Sequence, residues 1–307
     1  MKDKIIIICG STCSGKSSLA IELSKRLNSA VISADSMCVY QDFDIGTAKP
    51  SKEERAIVPH YLIDVVKPTV NYSIADYKEN AEQVIQTLLQ KDMPPIICGG
   101  TGFYINSLIY DLSYGGGGEN TQIRNKLNDE YKQFGIDYLW NKLFEVDSVS
   151  CKSIEKNDVK RVIRALEIFY NTGIPKSEIK DDFKPKRPYV AFCIDYPREE
   201  LYKRIELRVD EMIKNGLVEE TKKLVDDGLS LENNAMQGIG YKEIYAYLKG
   251  EITLNEAIDL IKINTRHYAK RQITFFKKLP GLIHLDSKLS TEQMIEIILS
   301  EYKKLPT

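Results

Sequence analysis

Gly10-Ser11-Thr12-Cys13-Ser14-Gly15-Lys16-Ser17 has the spacing G-x-x-x-x-G-K-[ST], and its chemistry is anion binding. The glycines let the backbone wrap around a phosphate, while the loop amides and a following helix N-terminus point positive dipole at it. Lys16 adds a full charge, and the Ser17 hydroxyl can hold Mg²⁺. A glycine-rich turn with no ligand needs neither Lys nor Ser at these places. The loop specifies phosphate without specifying the compound that carries it.

Two further stretches hold groups able to act on what such a loop binds. Asp35 follows the apolar run 30–33, where a carboxylate can hold Mg²⁺ through water or act as a general base. Asp and Ser are also good helix N-caps, so residue type alone leaves that option open. Ile96-Ile97-Cys98-Gly99-Gly100-Thr101-Gly102 is a second strand-to-helix glycine turn, and the Thr101 hydroxyl can donate to an oxygen of a departing phosphate. Tight packing explains those glycines equally well. Asp64, at the end of a short apolar run, is a weaker candidate for a second Mg²⁺ carboxylate.

These residues need a scaffold that brings strand ends together. Apolar runs at 5–9, 30–33, 61–65 and 95–98 alternate with helical patterns at 17–28 and 76–91, which implies a parallel sheet covered on both faces. Ligands on such sheets sit at the carboxyl ends of the strands. Gly115–Gly118 reads as a hinge and domain boundary. Residues 119–184 read as helices without a strand pattern, 182–188 as a return linker, and 189–195 as another core strand. Helices follow at about 197–214, 217–227, 240–249, 253–278 and 290–304, with one more short strand at 282–285. The expected fold is therefore α/β: a P-loop NTPase-like parallel sheet core, residues 1–114 and 189–307, with an all-helical insertion domain at 119–184 and a helical C-terminal part.

The chain of 307 residues is long enough for a real core, and 43% hydrophobic with 28% charged residues is ordinary for a globular protein. A net charge of −1 gives no global attraction to nucleic acid, so any such site must come from local clustering. The six cysteines form no C-x-x-C pair and no metal spacing with the three histidines, which fits reduced thiols in a cytoplasmic protein. No run approaches membrane-spanning length.

Taken together, several motifs resemble the tRNA dimethylallyltransferase family. They are Gly10–Ser17, Ala34-Asp35-Ser36-x-x-Val39-Tyr40, Asp44-Ile45-Gly46-Thr47-Ala48-Lys49-Pro50 and Gly99-Gly100-Thr101-Gly102-x-Tyr104. Later come Lys160-Arg161-Val162-Ile163-Arg164-Ala165-Leu166-Glu167, Leu217-Val218-Glu219-Glu220, Gln237-Gly238-Ile239-Gly240-Tyr241-Lys242-Glu243 and Thr265-Arg266-x-x-Ala269-Lys270-Arg271-Gln272. They span roughly residues 5 to 276 in the family's order.

The resemblance implies that the loop, with Arg208, holds the diphosphate of dimethylallyl diphosphate with Mg²⁺ at Ser17. The acceptor would be the exocyclic amine of the adenosine at position 37, beside the anticodon of a tRNA. Asp35 resembles the family's general base, and Thr101 the residue that hydrogen-bonds the bridging oxygen of the leaving group. The resemblance further implies tRNA contacts from Asp35, Ser36, Met37, Cys38, Thr101, Arg124, Lys160, Arg161, Val162, Ile163, Arg164, Gln237, Gly240, Tyr241, Lys242, Arg266, Lys270, Arg271 and Gln272. The helical insert resembles a domain that closes over the anticodon stem-loop. A monomer without an obligate protein partner or a membrane is expected. Cys38 stands where the family usually has Gln, and Phe275 where Trp is common.

Charge patterning agrees with an RNA partner. Between Lys262 and Lys278 there are six Lys or Arg and no acid, and Lys262, Arg266 and Lys270 fall at four-residue spacing on one helix face. A solvated helix face is the common meaning of such a run. Two rivals stay open on the residues: a nucleoside or nucleotide kinase with ATP as donor, and a non-catalytic RNA-binding module that uses the loop as a nucleotide switch. A basic C-terminal stripe without an arginine-rich lid beside the phosphate site argues against the kinase.

Overall fold

The computed structural model describes residues 3–115 and 120–306. Two compact units divide at Ile109/Tyr110, a few residues before the expected boundary, and at Pro185/Lys186, between the expected end of the insertion at 184 and the expected return at 189.

In the larger unit, the order is β1 (Ile5–Cys9), α1 (Lys16–Arg26), β2 (Val31–Ser33), α2 (Lys52–Ile57), β3 (His60–Tyr61), α3 (Ile74–Gln90), β4 (Ile96–Cys98) and α4 (Gly102–Ile109). The smaller unit carries β5 (Tyr110–Asp111), α5 (Thr121–Asp147), α6 (Val159–Thr172) and β6 (Asp182–Pro185). The chain then returns to the larger unit through β7 (Tyr189–Asp195), α7 (Arg198–Lys214), α8 (Leu217–Asp226), α9 (Tyr241–Leu248), α10 (Leu254–Phe276), β8 (Leu282–Asp286) and α11 (Thr291–Lys304).

Six strands form one parallel sheet in the order β3-β2-β4-β1-β7-β8. All five residues of β1 are fully buried, as expected of a central strand covered on both faces. One covering layer is α1 with α11: Leu19 and Leu23 pack with Ile6, Ile8, Phe192, Ile295 and Ile298. Elsewhere α3 lies against α4, where Tyr77 and Tyr104 stack with ring centroids 3.8 Å apart. β1 has β4 on one side and β7 on the other, so the strand order changes sense there, and a crevice opens at the carboxyl ends. Gly99 permits close approach of the loops after β4 and β2, because a Cβ there would lie 2.1 Å from the Ala34 carbonyl oxygen.

The smaller unit is mainly helical. α5 is broken at Gly135, whose φ of 77° no helix accommodates. Leu127, Leu139, Leu143, Val162, Ile163 and Leu166 form its core. The segment expected to be a linker is partly a strand: β6 pairs antiparallel with β5. All four β6 residues are exposed, so no apolar alternation announced it. Of the four-glycine run only Gly115 is described, and the hinge expected at Gly116–Gly118 lies outside the described residues. Among the described residues no helix is long and apolar enough to cross a membrane.

Candidate phosphate and acceptor site

The loop after β1 is shaped by positive φ at Gly10 (117°), Cys13 (61°) and Gly15 (81°). The left-handed conformation at both glycines is one that a side chain would strain. Ser14 Oγ donates to Ser11 O at 2.9 Å, and Lys16 Nζ donates to the same carbonyl. Desolvation holds the Lys16 ammonium below its ordinary pKa, with the Arg208 charge adding to the effect. A site that depresses the Lys16 ammonium in this way gains when an anion enters. Ser17 stands exposed in the first turn of α1.

A cavity of about 470 Å³ opens over this loop. Cys13 through Ser17 line it, with Asp35, Cys38, Cys98, Arg208, Tyr268 and Gln272. Asp35 Oδ1 accepts from the Met37 N–H at 2.8 Å and the Cys38 N–H at 3.4 Å, so a short turn fixes the carboxylate. Thr101 Oγ1 accepts from the Ser36 N–H at 3.0 Å and lies 3.3 Å from Ser36 Oγ. The two residues singled out from separate strand ends thus share one turn. Arg208, on α7, reaches Thr12 Oγ1 at 3.4 Å and the Thr47 carbonyl at 3.5 Å. Arg204 fastens the loop from outside by donating to Cys13 O at 2.8 Å.

Gln272 occupies a different place from the one expected. It is buried, and both ends of its amide are used by the protein. Oε1 accepts from the Thr12 N–H at 2.8 Å, and Nε2 donates to Gly100 O at 3.0 Å. It clips the two glycine loops together, which commits its Oε1 and one of its two N–H donors to the protein. Tyr268, one turn earlier on α10, borders Thr101, Gln272 and Asp35, and burial and then the Asp35 charge raise its phenol well above the usual value.

Asp64 is corrected as a metal ligand. Its Oδ1 accepts from the buried Lys49 ammonium and its Oδ2 from Arg55 at 2.7 Å, with Lys49 also paired to Asp44 at 2.7 Å. Burial alone would raise its pKa, but Lys49 and Arg55 outweigh burial and hold it below 3.8. A depressed carboxylate adds stability that is complete above the unfolded value and lost as pH falls through the lower folded value. Asp64→Asn should therefore cost about 2–3 kcal/mol near neutral pH. In thermal melts against pH, the gap between parent and variant should stay level down to 3.8 and close below it.

The loop 44–46 is held by a residue whose role the sequence did not disclose. Glu220 on α8 accepts from the N–H groups of Asp44, Ile45 and Gly46 and from the Tyr241 hydroxyl at 2.6 Å. Tyr241 is fully buried in this network and Gly240 is buried beside it, so neither offers a surface to RNA. Val162 and Ile163 are likewise corrected: they are core residues of the smaller unit. There Arg124 and Arg164 both pair with the buried Glu167 at 2.9 Å, which accounts for part of their charge. Lys160 and Arg161 are exposed, Arg161 pairing with Asp158 at 3.2 Å.

The acid-free stripe on α10 acquires acids from α7. Lys262 pairs with Asp210 and Arg266 with Glu206, each at 2.6 Å. Lys270 and Arg271 are exposed, and Arg271 lies over the Tyr268 ring at 5.8 Å. Gln237 is exposed but donates to Leu231 O, and Lys242 lies 3.7 Å from Glu243. Ser36 and Met37 are half-buried, whereas Cys38 is buried, its thiol pushed well up by desolvation and then by the Asp35 charge. Phe275 packs edge-on to Phe103 and Phe276, a packing role that an aromatic replacement preserves.

A family model described as IPP transferase matches residues 38–279. The chain belongs to the IPP transferase family. Among curated proteins it is 46% identical to the tRNA dimethylallyltransferase of Acetivibrio thermocellus, with 96% of each chain covered. It is 42% identical to that of Alkaliphilus oremlandii over 99% of this chain and 98% of the relative. Among solved structures of the family, the full-length tRNA isopentenylpyrophosphate transferase of Bacillus halodurans matches with a TM-score of 0.75 and 37% identity, covering 99% and 98%. A eukaryotic dimethylallyltransferase acting on tRNA matches with a TM-score of 0.85 and 29% identity, covering 99% of this chain and 80% of that one. The likeness to these relatives spans both units and the loop, whereas the family model begins after the loop, at residue 38.

Proposed function

We propose that this enzyme transfers the dimethylallyl group of dimethylallyl diphosphate to the exocyclic amine of adenosine 37 in tRNA. The observation that carries the reading is that Asp35, lining the cavity over the phosphate loop, sits on the turn that Thr101 holds through the Ser36 N–H. A kinase could also use such a base and such a donor to its leaving group; the relatives' name, tRNA dimethylallyltransferase, favours the prenyl reading.

The diphosphate lies in the loop with Lys16 and Arg208. The allylic C–O bond breaks as the amine nitrogen forms the new C–N bond. Negative charge grows on the departing diphosphate, where loop amides, Lys16, Arg208 and the Thr101 hydroxyl receive it. Asp35 takes the amine proton, which helps because an aromatic amine is a weak nucleophile. The adenine must leave its stack to present that amine. The Ser17 hydroxyl borders the cavity, an oxygen donor that fits Mg²⁺ together with the diphosphate oxygens. Bound Mg²⁺ would neutralise part of the diphosphate charge. Lys270 and Arg271, exposed near the cavity residue Tyr268, suit an RNA backbone. The proposal places the enzyme in the cytoplasm, with its tRNA, as a monomer.

The test is incubation with unmodified tRNA, Mg²⁺ and dimethylallyl diphosphate, then digestion and mass analysis for prenylated adenosine. Absence of product, with ATP-dependent phosphorylation of a nucleoside, would reject the reading. Thr101→Val should lower the single-turnover rate about 10²-fold, the usual cost of one lost donor to developing charge. Affinity for tRNA should stay the same.

A further inference from the structure

Cys193, Asp195 and His284 meet at the carboxyl ends of β7 and β8, and the cavity just described uses none of them. Register brings them together. Cys193 and Asp195 are two apart on β7 and so share a face, and Cys193 is the direct partner of His284 on β8. Cys193 Sγ lies 3.3 Å from His284 Nδ1 and 3.5 Å from Asp195 Oδ1, and His284 Nδ1 lies 2.7 Å from Asp195 Oδ2. No spacing rule finds this set, since 91 residues separate the thiol from the imidazole.

A nucleophilic Cys–His–Asp relay would use both imidazole nitrogens, one toward the thiol and one toward the carboxylate. Here both contacts are made by Nδ1, so the three donor atoms converge on one point. A thiol, an imidazole and a carboxylate form a borderline-soft set that suits Zn²⁺, whereas Mg²⁺ prefers oxygen alone. Donor atoms around tetrahedral zinc stand about 3.3–3.6 Å apart, from bond lengths of about 2.0–2.3 Å. The cluster meets that spacing if the Asp195–His284 pair opens by less than about 1 Å. A second observation calls for positive charge. Asp195 is the register partner of Asp286, so like charges sit opposite one another on neighbouring strands. Among the described residues, His284 is the one basic group that forms an ion pair with either.

We propose that Cys193, Asp195 and His284 bind one Zn²⁺, with the fourth position taken by water. On binding, the Cys193 S–H bond breaks, its proton passes to solvent, and an S–Zn bond forms with no change of oxidation state. Without metal the thiol keeps its proton, since burial and then Asp195 push it up to about 12. The site also bears on the phosphate loop. A Cβ at Gly10 would lie 3.2 Å from the Cys193 Cβ, so a cation that fixes Cys193 also fixes the floor under the first loop residue.

The test uses the full chain, freed of metal by chelation and titrated with Co²⁺. Expected is one Co²⁺ per chain with a thiolate-to-cobalt charge-transfer band, displaced by Zn²⁺ and unaffected by excess Mg²⁺. Cys193→Ser should abolish the band. His284→Gln and Asp195→Asn, both at exposed positions, should fold normally and bind at least tenfold more weakly. Zn²⁺ should raise the melting temperature of the parent and leave that of His284→Gln unmoved. The proposal falls if the parent shows no thiolate band, if the band survives Cys193→Ser and so belongs to Cys13 or Cys151, or if His284→Gln binds like the parent. Should Cys193→Ser fail to fold, the two exposed variants decide.

Discussion

Asp35→Asn should leave diphosphate binding unchanged and slow prenyl transfer about 10²–10⁴-fold, the range for a lost general base. The substitution is nearly isosteric. An Asn side-chain oxygen can still accept from the Met37 and Cys38 N–H groups, so the turn that carries Thr101 within reach of Ser36 survives. What is lost is the ability to take a proton. Binding of inorganic diphosphate, measured without RNA, reports the loop, Lys16 and Arg208. Single-turnover transfer to saturating tRNA reports the chemistry. A variant that transfers at the parent rate would show that solvent or another group removes the amine proton. One that loses diphosphate binding would show that Asp35 works through the loop. Tyr268, beside Asp35, is not an alternative base, because its phenol is held protonated by burial and by the Asp35 charge.

The parts of this site that were legible share one property: their chemistry is encoded locally. The loop 10–17 announces itself because every element of an anion cradle falls within eight residues that follow a buried strand. β1 and β7 were readable because both faces of each are apolar. α2 was not, since it has no buried residue to set a period, although Ser51 and Glu54 form a complete capping box at its start. The partners that tune the site come from far along the chain. Glu220 gathers the amides of residues 44–46, and the charges of Lys262 and Arg266 are met by Asp210 and Glu206 from a neighbouring helix. A helix read alone shows its own charges and hides the ones packed across from it, so the stripe looked freer than it is. The same reasoning explains the buried members of the RNA set. Val162, Ile163 and Tyr241 sit within motifs whose neighbours, the exposed Lys160 and Arg161 and the half-buried Lys242, have surface to offer. A motif as a whole does not distinguish the residue that touches a ligand from the one that holds the segment in place.

Gln272 poses that distinction most sharply, and its substitution carries the second large effect. Gln272→Glu should weaken inorganic diphosphate binding in the absence of RNA about tenfold or more and lower transfer by up to about 10²-fold, the scale of a reacting group displaced by about 1 Å. The carboxylate can still accept from the Thr12 N–H. Its other oxygen faces the Gly100 carbonyl where an N–H used to donate, so two acceptors meet and the second glycine loop must move away. Gly100 has little freedom on this side, because a Cβ there would stand 2.0 Å from Gln272 Nε2. Thr101 follows Gly100 directly, so the displacement reaches the donor aimed at the leaving group. Gln272→Met, which keeps the volume and removes both hydrogen bonds, should cost stability of about 1–3 kcal/mol for each buried polar group left without a partner, less where cavity water replaces it. The two variants separate positioning from contact. If Gln272 touched the acceptor RNA, both would weaken tRNA binding and spare diphosphate binding. As a clip between the loops at 12 and 100, it should show the reverse, with diphosphate affinity falling before tRNA has been added.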